Sequence, residues 1–353
     1  MKHAIAVFLY VCAHYLGLNL LLKWWNRDKV RILMYHGIRT VELPTSYSTQ
    51  VTQEEFDWQL AYIKRHYTPC SSEALGDDSK KAKPYRVMIT FDDGLENVYT
   101  DAQPVLARHG ITGIVFVLPK LSIERECIWT DKVYDLLVHT KAAKLDLTIF
   151  ELGRHRLEKL SVVERAQLAF SLNRKVKWRP LTERQKVVAA ISEQLAGRDY
   201  SIHPAFRLMT PEQIQELAAG KDIEIAPHTQ THQILSSLTP EQQREEIQGC
   251  REQLDQWGVP RSRVFAYPNG GRRDFTDQTV EILRENGIDY AVTTIRGHHK
   301  PPGDRYRIRR FDVSDSTSRW EFRAKLSGFY FILAWIEDTF LGGDTHKRPK
   351  VKQ

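Results

Sequence analysis

The sequence is poor in cysteine, and its few cysteines are not spaced as metal ligands or redox partners. Cys12, Cys70, Cys127 and Cys250 lie far apart and form no C-x-x-C pair, so free thiols are predicted. Internal repeats and low-complexity runs are absent as well. With 42% hydrophobic and 27% charged residues, the composition excludes a disordered chain, a collagen and a disulfide scaffold, and it allows a globular enzyme.

A strong excess of one charge is also lacking. The 51 Lys and Arg residues against 44 Asp and Glu give a formal charge of +7, which favours acidic partners such as anionic lipid, phosphate-linked glycan or nucleic acid. The excess is spread along the chain, apart from two basic segments, Lys23 to Arg31 and His346 to Lys352. Because no arginine–aromatic pattern of a nucleic-acid module is present, we predict no nucleic-acid partner.

Long apolar runs are lacking except at the N-terminus, where Ala4 to Leu22 has about the length that crosses a bilayer. Tryptophans and basic residues follow this run: Lys23, Trp24, Trp25, Arg27, Lys29 and Arg31. Residues 1–29 are therefore predicted to be a hydrophobic anchor, with a helix packed on the folded domain as the alternative. If the run spans a membrane, the basic residues on its C-terminal side place the following domain in the cytoplasm.

After this segment, short apolar strands alternate with helices. A capping box at Thr52 to Glu55 opens one predicted helix, and a second helix, Thr100 to His109, ends at Gly110. The strands predicted around them are 30–35, 86–90 and 113–118. Such alternation produces a parallel sheet with its functional loops at the C-terminal ends of the strands.

Residues 121–205 break this alternation and are predicted to form a mostly helical insertion. Helices are expected at Lys132 to Leu145 and Val162 to Leu195, with a capping box at Thr182 to Gln185. The alternation resumes with Thr210 and Thr239 as N-caps, each followed by proline. The remaining predicted elements are strands at 222–226, 264–267 and 289–294, a helix at 277–286, and a final helix that buries the apolar cluster 329–335.

Two adjacent carboxylates, Asp92 and Asp93, follow the second strand directly. Alternating side chains at a strand end point apart, so one carboxylate can bind a metal while the other stays free. Two adjacent carboxylates repel each other unless a cation or proton lies between them. Placing both at an apolar strand end therefore costs free energy of folding. Taken alone, Asp-Asp-Gly is also a common turn.

Two histidines four residues apart, His228 and His232, follow a later strand. A single helical turn would bring them onto one face, which suits a metal. In a barrel the two loops meet, because all strand C-termini open on the same side. One carboxylate and two imidazoles leave coordination positions open, as in a catalytic metal site.

A third loop, Tyr267-Pro-Asn-Gly270, offers backbone N–H groups to a developing oxyanion, or is simply a tight turn.

In this order, the three loops resemble the polysaccharide deacetylases of carbohydrate esterase family 4, over about Val30 to Val313. The resemblance implies a distorted (β/α) barrel with Asp92 as catalytic base. It also implies a divalent metal on Asp93, His228 and His232, zinc by default with nickel or cobalt as alternatives, and no organic cofactor.

Some further segments indicate a particular branch of this family, whereas others depart from the family's motifs. Leu33 to Gly37, Tyr267 to Gly270 and the helical insertion are similar to the branch that acts on exported or lipid-linked bacterial polysaccharides. The family's third motif has Arg and Tyr where this chain has Ala266 and Asn269, and its late Asp-Trp and Leu-x-His motifs are not found. The general acid therefore stays unassigned.

We expect Asn269 to supply the oxyanion donor, Arg310 to orient Asp92 or contact substrate, and His36 and Tyr267 to bind substrate. The expected layout is a deacetylase barrel at 30–325 and a C-terminal helix with a basic tail at 326–353. The expected function is removal of N-acetyl groups from amino sugars of a surface polysaccharide or its lipid-linked precursor, at a membrane. Two alternatives remain: deformylation or deacetylation of a lipid-linked monosaccharide, and a non-catalytic carbohydrate-binding subunit of a membrane assembly.

Overall fold

A computed structural model of the chain describes residues 2–43, 50–79, 81–197 and 200–340. The strands are β1 (Arg31–Tyr35), β2 (Gly37–Arg39), β3 (Gln50–Thr52), β4 (Thr68–Pro69), β5 (Arg86–Phe91), β6 (Gly113–Val117), β7 (Lys144–Asp146), β8 (Arg154–Arg156), β9 (Ile223–Pro227), β10 (Val264–Ala266), β11 (Tyr290–Arg296) and β12 (Ile308–Asp312). The six predicted strands all form, within two residues of the expected ends.

Seven of these strands form a nearly closed parallel barrel in the order β10-β11-β12-β1-β5-β6-β9, and β4 pairs with the first two residues of β5. Every residue of β1, β5 and β6 is buried. Strands covered on both faces read as continuous apolar runs, which is why the sequence revealed them. The sequence did not reveal β12, because two arginines interrupt its apolar residues.

The barrel is joined by side chains where no backbone ladder connects β9 to β10 in the described sheet. Near the start of both strands, the Ser262 hydroxyl donates to Glu224 Oε1 at 2.6 Å. Past their ends, His228 Nδ1 lies 2.7 Å from the carbonyl oxygen of Ala266. These two contacts hold the ends of the sheet together.

Helices surround the barrel: α1 (Lys2–Tyr15), α2 (Leu18–Trp25), α3 (Gln53–His66), α4 (Gln103–His109), α5 (Pro119–Glu124), α6 (Trp129–His139), α7 (Val162–Val176), α8 (Leu181–Leu195), α9 (Pro211–Ala219), α10 (Pro240–Gln256), α11 (Asp277–Glu285), α12 (Arg319–Ser327) and α13 (Phe329–Phe340). The periodic residues Phe56, Leu60 and Ile63 of α3 are fully buried. Phe56 packs edge-on against Tyr35 of β1 and Phe91 of β5, with ring centroids 5.2 and 5.8 Å apart. This aromatic cluster fixes the helix on the two central strands.

The insertion is helical with its own core, but two details differ from the prediction. The helix expected to run to Leu145 ends at His139, and residues 144–146 pair with 154–156 as a short antiparallel hairpin. The helix expected from Val162 to Leu195 is two helices, because Pro180 does not continue α7. Consequently α8 begins at Leu181 without a side-chain cap, and the predicted capping box at Thr182 does not form.

The N-terminal apolar run is bent instead of continuous. Gly17 has a φ of 74°, and α1 and α2 meet there at an angle of 79°. Within the described residues neither helix alone is long and apolar enough to cross a membrane, although the bent pair passes that test together. At the other end of the chain, α13 leaves Trp335 62% exposed, so it does not bury its whole apolar cluster. The basic tail predicted at 346–352 lies outside the described residues.

The helix caps allow a direct stability test. Thr239 Oγ1 accepts a hydrogen bond from the Gln242 N–H at 3.3 Å, and Gln242 Oε1 accepts one from the Thr239 N–H at 3.0 Å. Thr239→Ala removes this cap, so we expect urea unfolding, followed by circular dichroism, to show a loss of about 1 kcal/mol.

The matched control is Thr182→Ala, because Thr182 is exposed within the first turn of α8 and caps nothing. We expect a change within about 0.5 kcal/mol. Equal losses in the two variants would contradict the assignment of the caps.

Candidate metal centre and active site

Asp92 and Asp93 lie directly past the end of β5, and the backbone turns sharply between them and the next residue. Asp93 and Gly94 both have positive φ, 75° and 68°. A Cβ on Gly94 would lie 3.1 Å from Val117 Cγ1 and 3.3 Å from Val117 Cα, so another residue at this positive φ would be strained and crowded. This turn sends the two carboxylates in different directions, as the sequence predicted from their position at a strand end.

His228 and His232 follow β9, but they are not on a helical turn as predicted. The segment is an irregular loop in which Thr229 and His232 have φ values of 73° and 60°. Glu246 of α10 holds the loop, since its carboxylate accepts from the N–H groups of Gln230 and Thr231 at 2.9 Å each. The loop therefore brings both imidazoles to one point by a different local structure.

Asp93, His228 and His232 form a compact group of ligand atoms, all within 4.8 Å of one another. Asp93 Oδ1 lies 3.4 Å from Nε2 of each histidine. This oxygen is buried and has no hydrogen-bond partner among the described residues. Because the Ala266 carbonyl only accepts, His228 Nδ1 carries the proton, and its Nε2 keeps a lone pair directed at the group. These residues fit a small divalent cation.

The electrostatics of the group also suit a cation. Burial opposes ionisation of Asp93, but the imidazoles of His228, His232 and His36 hold its pKa well below the usual range. Burial lowers the pKa of His232 to about 4, because desolvation outweighs the attraction of Asp93. At neutral pH the site thus holds a carboxylate and a neutral imidazole, the forms that bind metals.

Asp92 is paired with a buried cation. Arg310 of β12 donates to Asp92 Oδ1 and Oδ2, both at 2.7 Å, and the guanidinium is fully buried. It also donates to Thr90 Oγ1 and to the carbonyl of Thr293, both at 3.0 Å. Burial opposes ionisation of Asp92, but the charge and hydrogen bonds of Arg310 lower its pKa below the ordinary value. The carboxylate is charged and fixed in orientation.

Two further predicted residues follow the C-terminal ends of strands, His36 after β1 and Asn269 after β10. His36 has its Nε2 3.9 Å from Asp93 Oδ2, and its side chain is 21% exposed. Asn269 is exposed with a φ of 59°, and its carbonyl accepts from the Thr294 hydroxyl at 2.7 Å.

Tyr267 does not fit the predicted substrate contact. Its side chain is fully buried, stacks on Phe275 at 3.9 Å between ring centroids, and donates from its hydroxyl to the carbonyl of Tyr306 at 3.0 Å. A ring enclosed in this way supports the turn that carries Asn269 and offers no surface to a ligand.

The insertion meets the metal-ligand loop at a cleft that the sequence did not indicate. The cleft has a volume of ≈ 420 Å³, with Trp129, Arg184 and Gln233 among its lining residues. Gln233 follows His232 directly, and Arg184 donates to its side-chain oxygen while lying 5.5 Å from the Trp129 ring. No local pattern marks Arg184 or Glu246, because each is one polar residue within an amphipathic helix.

A seven-stranded α/β barrel with an open Asp-His-His group and a second carboxylate, paired with Arg310, at its strand ends suits an amide-hydrolysing deacetylase. Comparisons with known proteins identify the group more closely. The family model for polysaccharide deacetylases matches residues 79–291. The chain therefore belongs to the polysaccharide deacetylase family.

Individual relatives agree with this assignment. YxkH of Bacillus subtilis (strain 168), which carries the name of a polysaccharide deacetylase, is 23% identical over 300 residues, covering 84% of this chain and 75% of that protein. Among solved structures, the Streptococcus pyogenes deacetylase PplD in complex with acetate has a TM-score of 0.56 at 19% identity, over 85% of this chain and 99% of that one. IcaB from Ammonifex degensii has a TM-score of 0.53 at 20% identity, over 85% and 97%. At this identity the structures show a shared fold.

The ligand group gives a metal-binding prediction. We expect the purified protein to bind one equivalent of zinc, and the triple variant Asp93→Ala, His228→Ala, His232→Ala to bind none, because no other described group of His, Cys, Asp and Glu brings three ligand atoms together. Metal analysis after dialysis measures the stoichiometry.

As a control, His155→Ala changes a histidine of the insertion hairpin that contacts only the Leu152 carbonyl among the described hydrogen-bond partners. It should keep the full stoichiometry. A folded triple variant that retained one equivalent of zinc would show that the ligands are elsewhere.

Proposed function

We propose that the protein is a divalent-metal-dependent hydrolase that removes N-acetyl groups from amino sugars of a bacterial surface polysaccharide or its lipid-linked precursor. One observation carries the proposal. Of two adjacent buried carboxylates, Asp92 is paired with Arg310, while Asp93 Oδ1 faces two imidazoles without a hydrogen-bond donor. Metal-assisted amide hydrolysis requires one group that binds the metal and another that takes the proton from water, and the two carboxylates suit these separate roles.

Asp93, His228 and His232 would hold the ion, with zinc as the default and nickel or cobalt able to use the same ligands. When bound, such an ion polarises the amide carbonyl and lowers the pKa of a bound water to near neutrality. The protein supplies the remaining parts. Three protein ligands leave room for water and substrate, and the hydrogen bond from His228 to Ala266 fixes the orientation of one imidazole.

Asp92 is proposed as the base that takes the proton from the attacking water. Its two oxygens are held by Arg310 at 2.7 Å each, so the carboxylate cannot rotate away from the site. The same pairing keeps it ionised at neutral pH, because Arg310 lowers its pKa despite burial. Arg310 thereby acts as a positioning residue and does not itself need to touch the substrate.

The developing oxyanion is proposed to accept a hydrogen bond from the backbone N–H of Asn269. The turn is held in place by the Thr294 hydroxyl on the Asn269 carbonyl and by the buried ring of Tyr267. His36, partly exposed beside Asp93, is proposed to contact the substrate. From there it can donate a proton to the departing amine.

The cleft between the insertion and the metal-ligand loop supports a substrate longer than one sugar. It combines apolar walls with Trp129 and a buried guanidinium, Arg184, which has no carboxylate within 4.0 Å among the described residues. Aromatic and apolar surfaces with a few polar groups are typical of ligand clefts. This feature favours a polysaccharide over the alternative substrate, a lipid-linked monosaccharide.

The second alternative, a non-catalytic carbohydrate-binding subunit, is less well supported by the same geometry. A pure binding site has no use for a buried carboxylate beside the metal ligands. Asp92 is 3% exposed and requires a fully buried arginine to stabilise it. Such an arrangement is costly to bury and is explained by a role in proton transfer.

We also propose that the enzyme works at a membrane surface, with the basic segment after Trp25 favouring the cytoplasmic side. The net charge of +7 and the apolar N-terminal helices support the association.

The role of Asp92 gives a kinetic prediction. Asp92→Asn keeps the shape of the side chain but cannot accept a proton, so we expect bound zinc to remain and kcat on an acetamido-sugar oligomer to fall by about two to four orders of magnitude. Asp78→Asn, at an exposed aspartate, serves as the matched control. A variant with near-native kcat and lost metal would exchange the roles of Asp92 and Asp93.

The cleft gives a second kinetic prediction. Ala189 lines it and is exposed, so Ala189→Trp should fill it without disturbing the core. We expect KM to rise for longer oligomers, with little change for the shortest substrate that is deacetylated, because only longer chains reach the cleft. Lys186→Trp places the same side chain on an exposed position of α8 outside the lining.

If Ala189→Trp and Lys186→Trp changed KM equally, the cleft would not bind substrate. The same conclusion would follow if Ala189→Trp raised KM equally for short and long oligomers.

A further inference from the structure

Three helices from opposite ends of the chain present one exposed apolar surface. The helices α1, α2 and α13 contact one another and α12. Their large exposed side chains, with relative exposures between 37% and 76%, are Ile5, Phe8, Leu9, Tyr15, Leu16, Leu18, Leu20, Leu21, Trp24, Trp25, Ile332, Trp335 and Ile336. We call this set the apolar platform. Soluble monomers rarely leave so many large apolar side chains together in water, and such a patch marks an interaction surface.

The platform is fixed to the folded domain by buried polar contacts. The Ser327 hydroxyl at the end of α12 donates to Asn19 Oδ1 at 2.9 Å, and Asn26 Nδ2 donates to the Ser327 carbonyl at 2.9 Å. Arg31, at the start of β1, donates to the carbonyls of Leu326 at 2.7 Å and Asn26 at 2.9 Å. These groups are buried, so breaking the contacts leaves polar atoms without partners.

These contacts decide how the N-terminal helices can meet a bilayer. A spanning rod would require α1 and α2 to straighten from their 79° bend. Straightening moves Asn19 or α1 away from α12, and it uncovers Tyr10 and Ala13 of α1, which are 5% and 1% exposed. The bend at Gly17 instead lays both helices along the protein surface, with their apolar sides outward.

The chemistry of the platform matches an anionic lipid surface. No acidic residue precedes Asp28 in the chain, and the two acidic residues of α13, Glu337 and Asp338, come after its exposed apolar residues. Trp24 and Trp25 are 52% and 72% exposed, and the Arg27 guanidinium lies 4.8 Å from the Trp24 ring. Tryptophan and basic side chains beside an apolar face are the usual residues of a membrane interface.

A basic edge continues onto the barrel. Lys23 Nζ donates to the carbonyl of His66 at 2.5 Å, and the exposed Arg65 is the residue before His66. A protein partner would have to match both this charge and a curved apolar face, whereas a lipid surface matches them without a specific shape.

We propose that α1, α2 and α13 insert together into one leaflet of an anionic membrane, with no segment crossing it. This mode rests on the membrane association proposed above and is independent of the deacetylase chemistry. It places the N-terminus, the barrel and α13 on the same side of the bilayer. The N-terminal helices are then part of the folded domain, not a removable tether.

The first experiment measures binding of the full chain to sealed vesicles of phosphatidylcholine with and without phosphatidylglycerol. We expect co-sedimentation with the anionic vesicles that weakens as salt is raised. Leu20→Glu with Leu21→Glu, at two exposed platform positions, should abolish it. Val162→Glu with Val163→Glu, which are 40% and 55% exposed on the insertion, is the matched control and should bind as the wild type does.

The second experiment measures depth and sidedness. Lipids brominated near the headgroup should quench the fluorescence of Trp24, Trp25 and Trp335, so the quenched fraction should fall when these three are changed to phenylalanine and should not fall in Trp178→Phe. A protease site placed before Met1 should be cut by protease added outside the vesicles. If the barrel were outside the vesicles but the protease did not cut the site before Met1, a helix would span the bilayer. That result would overturn the proposal.

Two other outcomes would also overturn it. If the Leu20→Glu, Leu21→Glu variant bound vesicles as well as the wild type does, the platform would not be the membrane-binding surface. Absence of vesicle binding together with a concentration-dependent dimer that this variant breaks would assign the platform to a second copy of the chain. Activity on a soluble oligomer is measured in parallel, so that a failure of the proposed chemistry with intact vesicle binding is recognised separately.

Discussion

The buried pairing of Arg310 with Asp92 determines how the other polar groups at the barrel end are arranged. Two adjacent carboxylates in a buried place repel each other, and a nearby positive charge relieves that repulsion. Arg310 donates two hydrogen bonds of 2.7 Å to Asp92, so Asp93 is the carboxylate left facing the two imidazoles. The same guanidinium also binds Thr90 of β5 and Thr293 of β11, and thereby ties together strands on either side of β12 and β1.

Around this pair, several residues of the site have unfavourable backbone conformations. Asp93, Thr229, His232 and Asn269 all have positive φ, which costs energy for residues other than glycine. Each is held by contacts from more regular structure: Glu246 of α10 holds the histidine loop, and Thr294 of β11 holds Asn269. Packing of the barrel and its helices therefore maintains a geometry that the loops alone would not adopt.

The apolar runs and the caps at Thr210 and Thr239 could be identified from the sequence because their signals are local. Asp92, Asp93 and the two histidines could be located for the same reason, since strand ends in a barrel open on one side. The histidine loop was expected to be helical, but the strained φ of Thr229 and His232 depends on Glu246, a residue in a later helix.

The role of Tyr267 also could not be predicted from the local sequence. Its position beside the turn suggested a ligand contact, whereas its burial is decided by Phe275 and Tyr306, which come later in the chain. The strand β12 was hidden because Arg310, a charged residue, occupies a fully buried position where Asp92 balances its charge. Where long-range contacts decide the conformation, local patterns predict the residue type but not its role.

The network around Ser327 has a consequence for how the chain folds during synthesis. Asn19 and Asn26 are made first, but the α12 residues that they contact are made some three hundred positions later. Until then the apolar helices α1 and α2 have no protein surface to cover them, and exposed apolar segments of incomplete chains tend to aggregate. A lipid surface close to the ribosome would shelter these helices during that interval, so the order of translation itself favours targeting of the nascent chain before the barrel is complete.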